Sequence, residues 1–300
     1  MRTDVYDRIT NQIVAELEKG VRPWFKPWNA EHAAGRITRP LRANGIPYQG
    51  VNVLMLWSAA LDKGYAAPIW MTFKQALELK ACVRRGEHGS LVVYADKIIR
   101  TETDTDTGEE SEHAIPFMKG YTVFNVEQID DLPAHYYAKP APRAETVQRI
   151  AHAEEFFAAT GATIRHGGNR AFYSPATDHV QMPPFESFRD AESYYATLAH
   201  EATHYTRHPS RLDRDFGRKR FGDEGYAVEE LVAELGSAFL CADLELTPEV
   251  REDHAAYIAS WIKVLKNYKR AIFSAASHAQ SAADFLHGLQ KSAVPQAGAA

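Results

Sequence analysis

The stretch DAESYYATLAHEATHYTRH, Asp190 to His208, decides the fold. Tyr194, Leu198, Ala202 and Tyr205 recur at helical spacing, and Glu192 suits the positive end of a helix dipole. Within it, His200-Glu201-Ala202-Thr203-His204 is an HExxH signature. Imidazoles four positions apart on a helix are offset by about 40°, so both can face one ion while the intervening Glu reaches its open coordination position. The bland alternative is two surface histidines on an ordinary helix.

A second helix, Gly222 to Cys241, speaks against that alternative. Two histidines need a third protein ligand and one open position to make a catalytic zinc site. Glu229, Glu230 and Glu234 lie about 25 residues downstream among Leu231, Val232, Leu235, Ala238 and Phe239. Carboxylates that close to an apolar face require a partner, and a metal is one. Glu230 and Glu234 stand one turn apart, so one can ligate while the other accepts an imidazole N–H. EELVAELGSAFL resembles the third-ligand helix of gluzincin metallopeptidases, in which an acid follows the ligand Glu four residues later. The resemblance implies Glu230 as ligand, with Glu229 the fallback and Glu234 supporting an imidazole. The expectation is one Zn2+ per chain on His200, His204 and Glu230, with Glu201 as general base. Arg207, His208 and Pro209 follow the motif where a metzincin would need Gly and a third His. Oxyanion-stabilising candidates on the last long helix are Tyr257, Arg270 and His254.

Three hundred residues with 45% hydrophobic and 24% charged content suit a soluble protein of about two domains. No apolar run reaches the roughly 18 residues of a membrane span, and the N-terminus lacks a signal-peptide core, which makes the cytoplasm the default compartment. Cys82 and Cys241 alone cannot build a disulfide framework or a thiolate zinc site. Residues 1–100 carry fifteen Lys/Arg against nine Asp/Glu, whereas residues 101–131 carry one against nine. A basic region beside an acidic insert suits a polyanion-binding surface and equally a solvated face.

Asp4 to Leu17 reads as an amphipathic helix, VNVLMLWSAAL from Val51 as a buried one, and WMTFKQALEL as a third capped by Thr72. SLVVYADKIIRT and GYTVFNV read as paired strands joined by the acidic segment Thr101 to His113. Prolines mark a linker at residues 133–144. Beyond it come a helix over Glu145 to Thr160, short strand signals in GATIRHGG and RAFYSPATDHVQMPP, the two metal-site helices, and a long helix from Glu249 to Ala275. This order fits an α+β fold whose C-terminal domain is zincin-like. The expected organisation is residues 1–132 as one domain, 145–290 as the second, and 291–300 as a disordered tail.

The N-terminal region interleaves aromatics with cations, as single-stranded nucleic acid recognition requires: bases stack on rings and Lys/Arg follow phosphates. The best candidates are Trp24, Lys26, Trp28, Arg39, Arg42, Tyr48, Lys74, Arg84 and Arg85, while Trp57 and Phe73 sit on apolar helical faces and read as core. PYQGVNVLMLW, WMTFKQALEL, VRRGEHGS, KGYTVFNVEQI, SYYATLAHEATHYT and YAVEELVAELGSAFLCA, in this order, resemble the ArdC-type antirestriction proteins of conjugative plasmids. That resemblance extends to about Leu289. It implies an N-terminal single-stranded-DNA-binding domain, a C-terminal zincin-like metallopeptidase domain and protection of incoming DNA from restriction. A protein substrate or a restriction enzyme is a further conceivable partner, and no membrane is expected. Two other readings stand beside it: a DNA-binding module with a structural or vestigial metal site, and a general cytoplasmic zinc peptidase.

Overall fold

The computed structural model of the chain describes residues 4–24, 38–103, 110–137, 146–217, 224–247 and 254–290. Helix α1 (Val5–Glu18) is capped by Asp4, buries Ile9, Ile13, Val14 and Leu17 along one stripe, and stops before Gly20. After β1 (Leu41–Arg42), helix α2 (Val51–Lys63) is buried on most sides and ends at Gly64, whose φ of 74° an L-residue adopts only at a cost. Strand β2 (Ile69–Thr72) and helix α3 (Phe73–Glu78) divide a segment whose composition reads as one helix. Thr72 is both the last strand residue and the cap, in a reciprocal box with Gln75. Strands β3 (Cys82–Val83), β4 (Ser90–Thr103), β5 (Glu110–Asn125) and β6 (Ile129–Asp130) follow.

The second half runs α4 (Thr146–Ala159), β7 (Thr163–His166), β8 (Phe172–Ser174), β9 (His179–Met182), α5 (Ala191–Tyr205), α6 (Glu224–Asp243), α7 (His254–Asn267) and α8 (Ala271–Gly288). The expected long helix over 249–275 is thus two helices. No Pro or Gly signals the break. Tertiary contacts support it instead: Thr10 Oγ1 of α1 donates to the Lys269 carbonyl at 2.6 Å, and Arg270 stacks on Tyr6.

One sheet has the order β1-β2-β5-β4, with β1 and β2 parallel and the rest antiparallel; β3 pairs with β6. In the other half β7 and β9 are parallel and β8 closes the sheet antiparallel. Residues 134–137, which composition assigns to a linker, form a 3-10 turn held by Tyr137 Oη on the Ile129 carbonyl at 2.7 Å. Residues 138–144 and 291–300 lie outside the described residues.

The main core does not stop at the middle of the chain. Ile9, Leu54 and Trp57 from the first half share one hydrophobic cluster with Leu231, Phe239, Trp261 and Ala279 from the second. A small satellite of Met71, Ala76, Ala81, Val126, Ile129 and Leu132 lies against the N-terminal sheets. No helix among the described residues is long and apolar enough to cross a membrane.

Candidate metal centre

Helix α5 starts at Asp190, whose carboxylate accepts the Ser193 N–H at 2.7 Å, and runs buried from Ser193 to Tyr205. Helix α6 crosses it closely. Gly236 faces Thr203 so tightly that an added Cβ would lie 2.5 Å from the Thr203 methyl, and Ser237 Oγ donates to the Ala196 carbonyl at 3.1 Å. This approach delivers the Glu230 carboxylate to the two imidazoles.

His200 Nε2 lies 3.5 Å from Glu230 Oε2, and His204 Nε2 lies 3.6 Å from Glu230 Oε1. One donor atom from each of the three side chains falls within 4.8 Å of the others. Two ligand atoms each about 2.1 Å from a tetrahedral ion stand about 3.4 Å apart, so the donor set fits a divalent cation with little adjustment.

A supporting layer holds His204. Its Nδ1 is 3.0 Å from Glu229 Oε1, and Arg214 grips the same carboxylate through Nε and Nη2, both at 2.8 Å. Arg214 also donates to Thr206 Oγ1 and the Thr203 carbonyl, each at 3.0 Å. The role expected of Glu234 therefore falls to Glu229. Glu234 is turned toward Arg22 instead, at 3.3 Å. Among the described residues the buried Nδ1 of His200 has no hydrogen-bond partner.

The electrostatics follow from the packing. Burial disfavours a charged His204, yet Glu230 and Glu229 outweigh it and push the imidazole up to about 10. Burial likewise opposes ionisation of Glu229, but Arg214 and His204 hold it down to about 2. Glu230 is held well below the usual carboxylate range against burial by His204 and His200. Three donors that attract one another through protons are a set whose protons a cation can replace.

Tyr226 lies one turn before Glu230 on α6; burial, the Tyr257 hydroxyl at 2.8 Å and the Glu230 carboxylate all push its phenol up. Tyr226 is not among the oxyanion candidates that the sequence offers, although its spacing of four residues from Glu230 places both on one helix face. Arg270 stacks on Tyr6, His208 bonds Ser210 at an exposed position, and the His254 side chain lies outside the description. Arg214, in an irregular segment, gave no sequence signal. Glu201 is buried on α5 between the two histidines.

Residues 3–124 match the N-terminal domain of the anti-restriction factor ArdC, and residues 151–278 match a zincin-like metallopeptidase family. The chain belongs to the ArdC antirestriction family. The crystal structure of the metal-free ArdC protein of plasmid R388 superposes with a TM-score of 0.80 at 48% identity, covering 96% of this chain and 98% of that one. The Mn(II)-bound structure of the same protein gives 0.79 at 44% identity, covering 97% and 100%. Protein y4eC of Sinorhizobium fredii is 48% identical over 97% of this chain and 94% of its own length. The DNA primase TraC of Escherichia coli is 39% identical over 97% of this chain but only 28% of TraC.

The ArdC-like N-terminal region redistributes the nucleic-acid candidates. Trp24 is buried edge-on against Trp261, and Tyr48 is buried beneath Arg42. Arg39 is buried too, bidentate on Asp243 at 2.7 Å and stacked on Phe239. These three side chains are buried rather than laid on the surface, and Trp24 and Arg39 pack on residues of the second half. Arg42, Lys74, Arg84 and Arg85 are exposed, with Arg84 paired to Glu87 and Asp130. Lys26 and Trp28 lie outside the described residues. Trp57 is core as expected, whereas Phe73 is about half exposed at the start of α3.

Proposed function

We propose that this chain is a plasmid-type antirestriction protein that binds single-stranded DNA through residues 1–132 and carries one zinc ion in a metallopeptidase domain spanning residues 145–290. Its working compartment is the cytoplasm, where incoming DNA meets restriction enzymes. The observation that carries the reading is the convergence of His200, His204 and Glu230 in a chain whose other half matches the ArdC N-terminal domain. Two histidines and a glutamate are the donor set that catalytic zinc sites use, which supports a hydrolytic centre over a structural one.

An ion held there supplies Lewis acidity and an acidified water. The chain does the rest. Glu201, buried on α5 between the two histidines in sequence, would take the proton of that water. Glu229, held by Arg214, takes the Nδ1 side of His204 and so leaves Nε2, beside Glu230, to hold an ion. The Tyr226 phenol, kept protonated, offers a donor beside Glu230 to a developing negative charge.

Glu201→Gln tests the centre. Elemental analysis should find zinc retained, hydrolysis of an unstructured general substrate lost, and single-strand affinity unchanged. Binding of single strands should weaken with a steep log–log dependence on salt. A purified protein that binds no strand at low salt overturns the DNA reading, and one whose metal content is indifferent to His204→Ala overturns the centre.

A further inference from the structure

Strands β4 and β5 pair from Ser90 to Thr103, but only Leu91, Val92 and Val93 of β4 join the core. From Tyr94 to Thr101 every residue of β4 is exposed. Residues directly opposite across an antiparallel pair share a face, as do residues two apart along a strand. The register Val92↔Tyr121, Tyr94↔Lys119 and Asp96↔Phe117 therefore puts Tyr121, Tyr94, Phe117 and Lys119 on one face. The contacts bear this out. The Tyr94 ring centroid lies 6.5 Å from that of Tyr121 and 6.1 Å from that of Phe117, with the planes inclined by 77° and 59°. Tyr94 is 49% exposed and Tyr121 39%.

This row is braced and carries charge. The Tyr94 hydroxyl donates to Asp96, whose other oxygen accepts the Lys97 N–H at 2.8 Å, so the ring has a fixed stance. The Lys119 ammonium rests 5.2 Å from the Tyr121 centroid. Arg100 lies further along the same face, and neither it nor Lys119 forms an ion pair among the described residues. An exposed lysine resting on a ring is free to exchange it for a phosphate. Beyond Arg100 the acidic run of residues 101–113, which holds no Lys or Arg, closes the face to phosphate at its far end.

We propose that this face of the β4–β5 ribbon is where a single strand lies, its bases on Tyr121, Tyr94 and Phe117 and its phosphates on Lys119 and Arg100. The assignment rests on the strand-binding reading above and gives it a surface, since Trp24 and Tyr48 are buried. Exposed rings with uncommitted cations beside them meet both needs of an unpaired strand. A duplex hides the faces of its bases. An apolar protein surface laid here would desolvate Lys119 and Arg100 without pairing them. Ring centroids more than 6 Å apart are spaced well beyond the roughly 3.4 Å rise of a strand in a duplex, so the bound strand is unstacked, with one base to a ring.

Fluorescence anisotropy with labelled oligo-dT at fixed salt tests the surface. Tyr94→Ala and Tyr121→Ala should each weaken binding at least about fivefold, the lower end of what one base stacked on a ring is worth, and leave any duplex binding unchanged. Tyr121→Phe, which keeps the ring, should stay within twofold of the parent. Phe73→Ala, which removes an exposed ring packed on Phe124 from the other face of β5, should also stay within twofold. Lys119→Ala should lower the salt slope by about 0.7. Photo-crosslinking of a strand carrying 5-bromodeoxyuridine should map to Tyr94, Phe117 or Tyr121, a readout that needs no variant to fold. Parental affinity in both alanine variants, equal losses in Tyr121→Ala and Phe73→Ala, or crosslinks confined to other segments overturn the surface while leaving strand binding intact. Light scattering that shows the tyrosine variants losing a dimer instead of a strand overturns it in favour of a second copy of this chain. A parent protein that binds no strand at low salt removes the strand-binding reading and this surface together.

Discussion

Gly236→Ala should disable the metal centre without touching a ligand. An added Cβ would stand 2.5 Å from Thr203 Cγ2, 2.7 Å from its Oγ1 and 3.1 Å from its Cβ. Thr203 is fully buried and its hydroxyl donates to the Ala199 carbonyl at 2.8 Å, so the side chain has no empty rotamer to take. Non-bonded carbons settle at about 3.5–4.0 Å, which forces α6 away from α5 by about 1 Å. The separations of Glu230 from His200 and His204, now 3.5 and 3.6 Å, would open toward about 4.5 Å, beyond the roughly 3.4 Å that ligands of one tetrahedral ion require. Overpacking of this kind costs about 1–3 kcal/mol of stability.

The expected result is a zinc affinity at least about tenfold weaker in competition with a chromophoric chelator, the scale on which misplaced support of a metal ligand is felt. Thermal melts should show a lower midpoint and a smaller gain from added zinc. Thr203→Ala in the same chain removes the methyl and hydroxyl and leaves only the 3.1 Å contact, so the double variant should recover most of the affinity. Parental zinc affinity in Gly236→Ala, or a double variant no better than the single one, would refute the helix-crossing account.

Arg39→Ala should lower the denaturation midpoint by about 2–4 kcal/mol of stability, because Asp243 loses a buried bidentate partner, while single-strand affinity of the folded protein stays within twofold; weaker DNA binding at unchanged stability would restore it as a contact residue. Arg214→Met should cost about 3 kcal/mol by leaving the buried Glu229 with His204 as its remaining partner among the described residues, and should weaken metal binding as well, with chemical denaturation and chelator competition as readouts. For acid stability the relevant group is Asp178, which its hydrogen bonds to Arg211 draw down from 3.8 to about 2 despite burial. A depressed carboxyl contributes above its unfolded pKa and loses that contribution as pH falls from about 4 to about 2. With 39% of the side chain exposed, solvent screening keeps the effect below about 1 kcal/mol. The gap between parent and Asp178→Asn in urea should therefore close across that window, and a gap constant down to pH 2 would contradict the assignment.

The metal helix was legible because everything that defines it is local. His200, Glu201 and His204 need only a helix to share a face, and the apolar stripe supplied the helix. Glu230, which the structure groups with the two histidines, comes from another helix and was singled out by resemblance to a third-ligand helix rather than by local spacing. Which neighbouring acid supports His204 was not legible, because that depends on the angle at which α6 crosses α5, and Gly236 against Thr203 sets it from 33 positions apart. Trp24 and Arg39 were misread because an aromatic and a cation among prolines look alike whether they stack on a base or on Trp261 and Phe239. Phe73 differs the other way: its helical spacing suggests burial, but α3 is only six residues long and Phe73, its first residue, is about half exposed.

The same buried contacts tie the two halves energetically. Arg22, from the segment after α1, ends on Glu234, one turn along α6 from Glu230, and Arg39 ends on Asp243 at the close of that helix. A change that displaces α6 would therefore be felt at two ion pairs with the N-terminal half, and a ligand pulling on Arg22 would be felt at α6. Coupling of this kind is reciprocal: the factor by which a ligand on the N-terminal half would change metal affinity is the factor by which a metal would change that ligand's affinity. Buried partners make the coupling direct, since an ion pair shielded from water transmits a displacement that solvent would otherwise absorb.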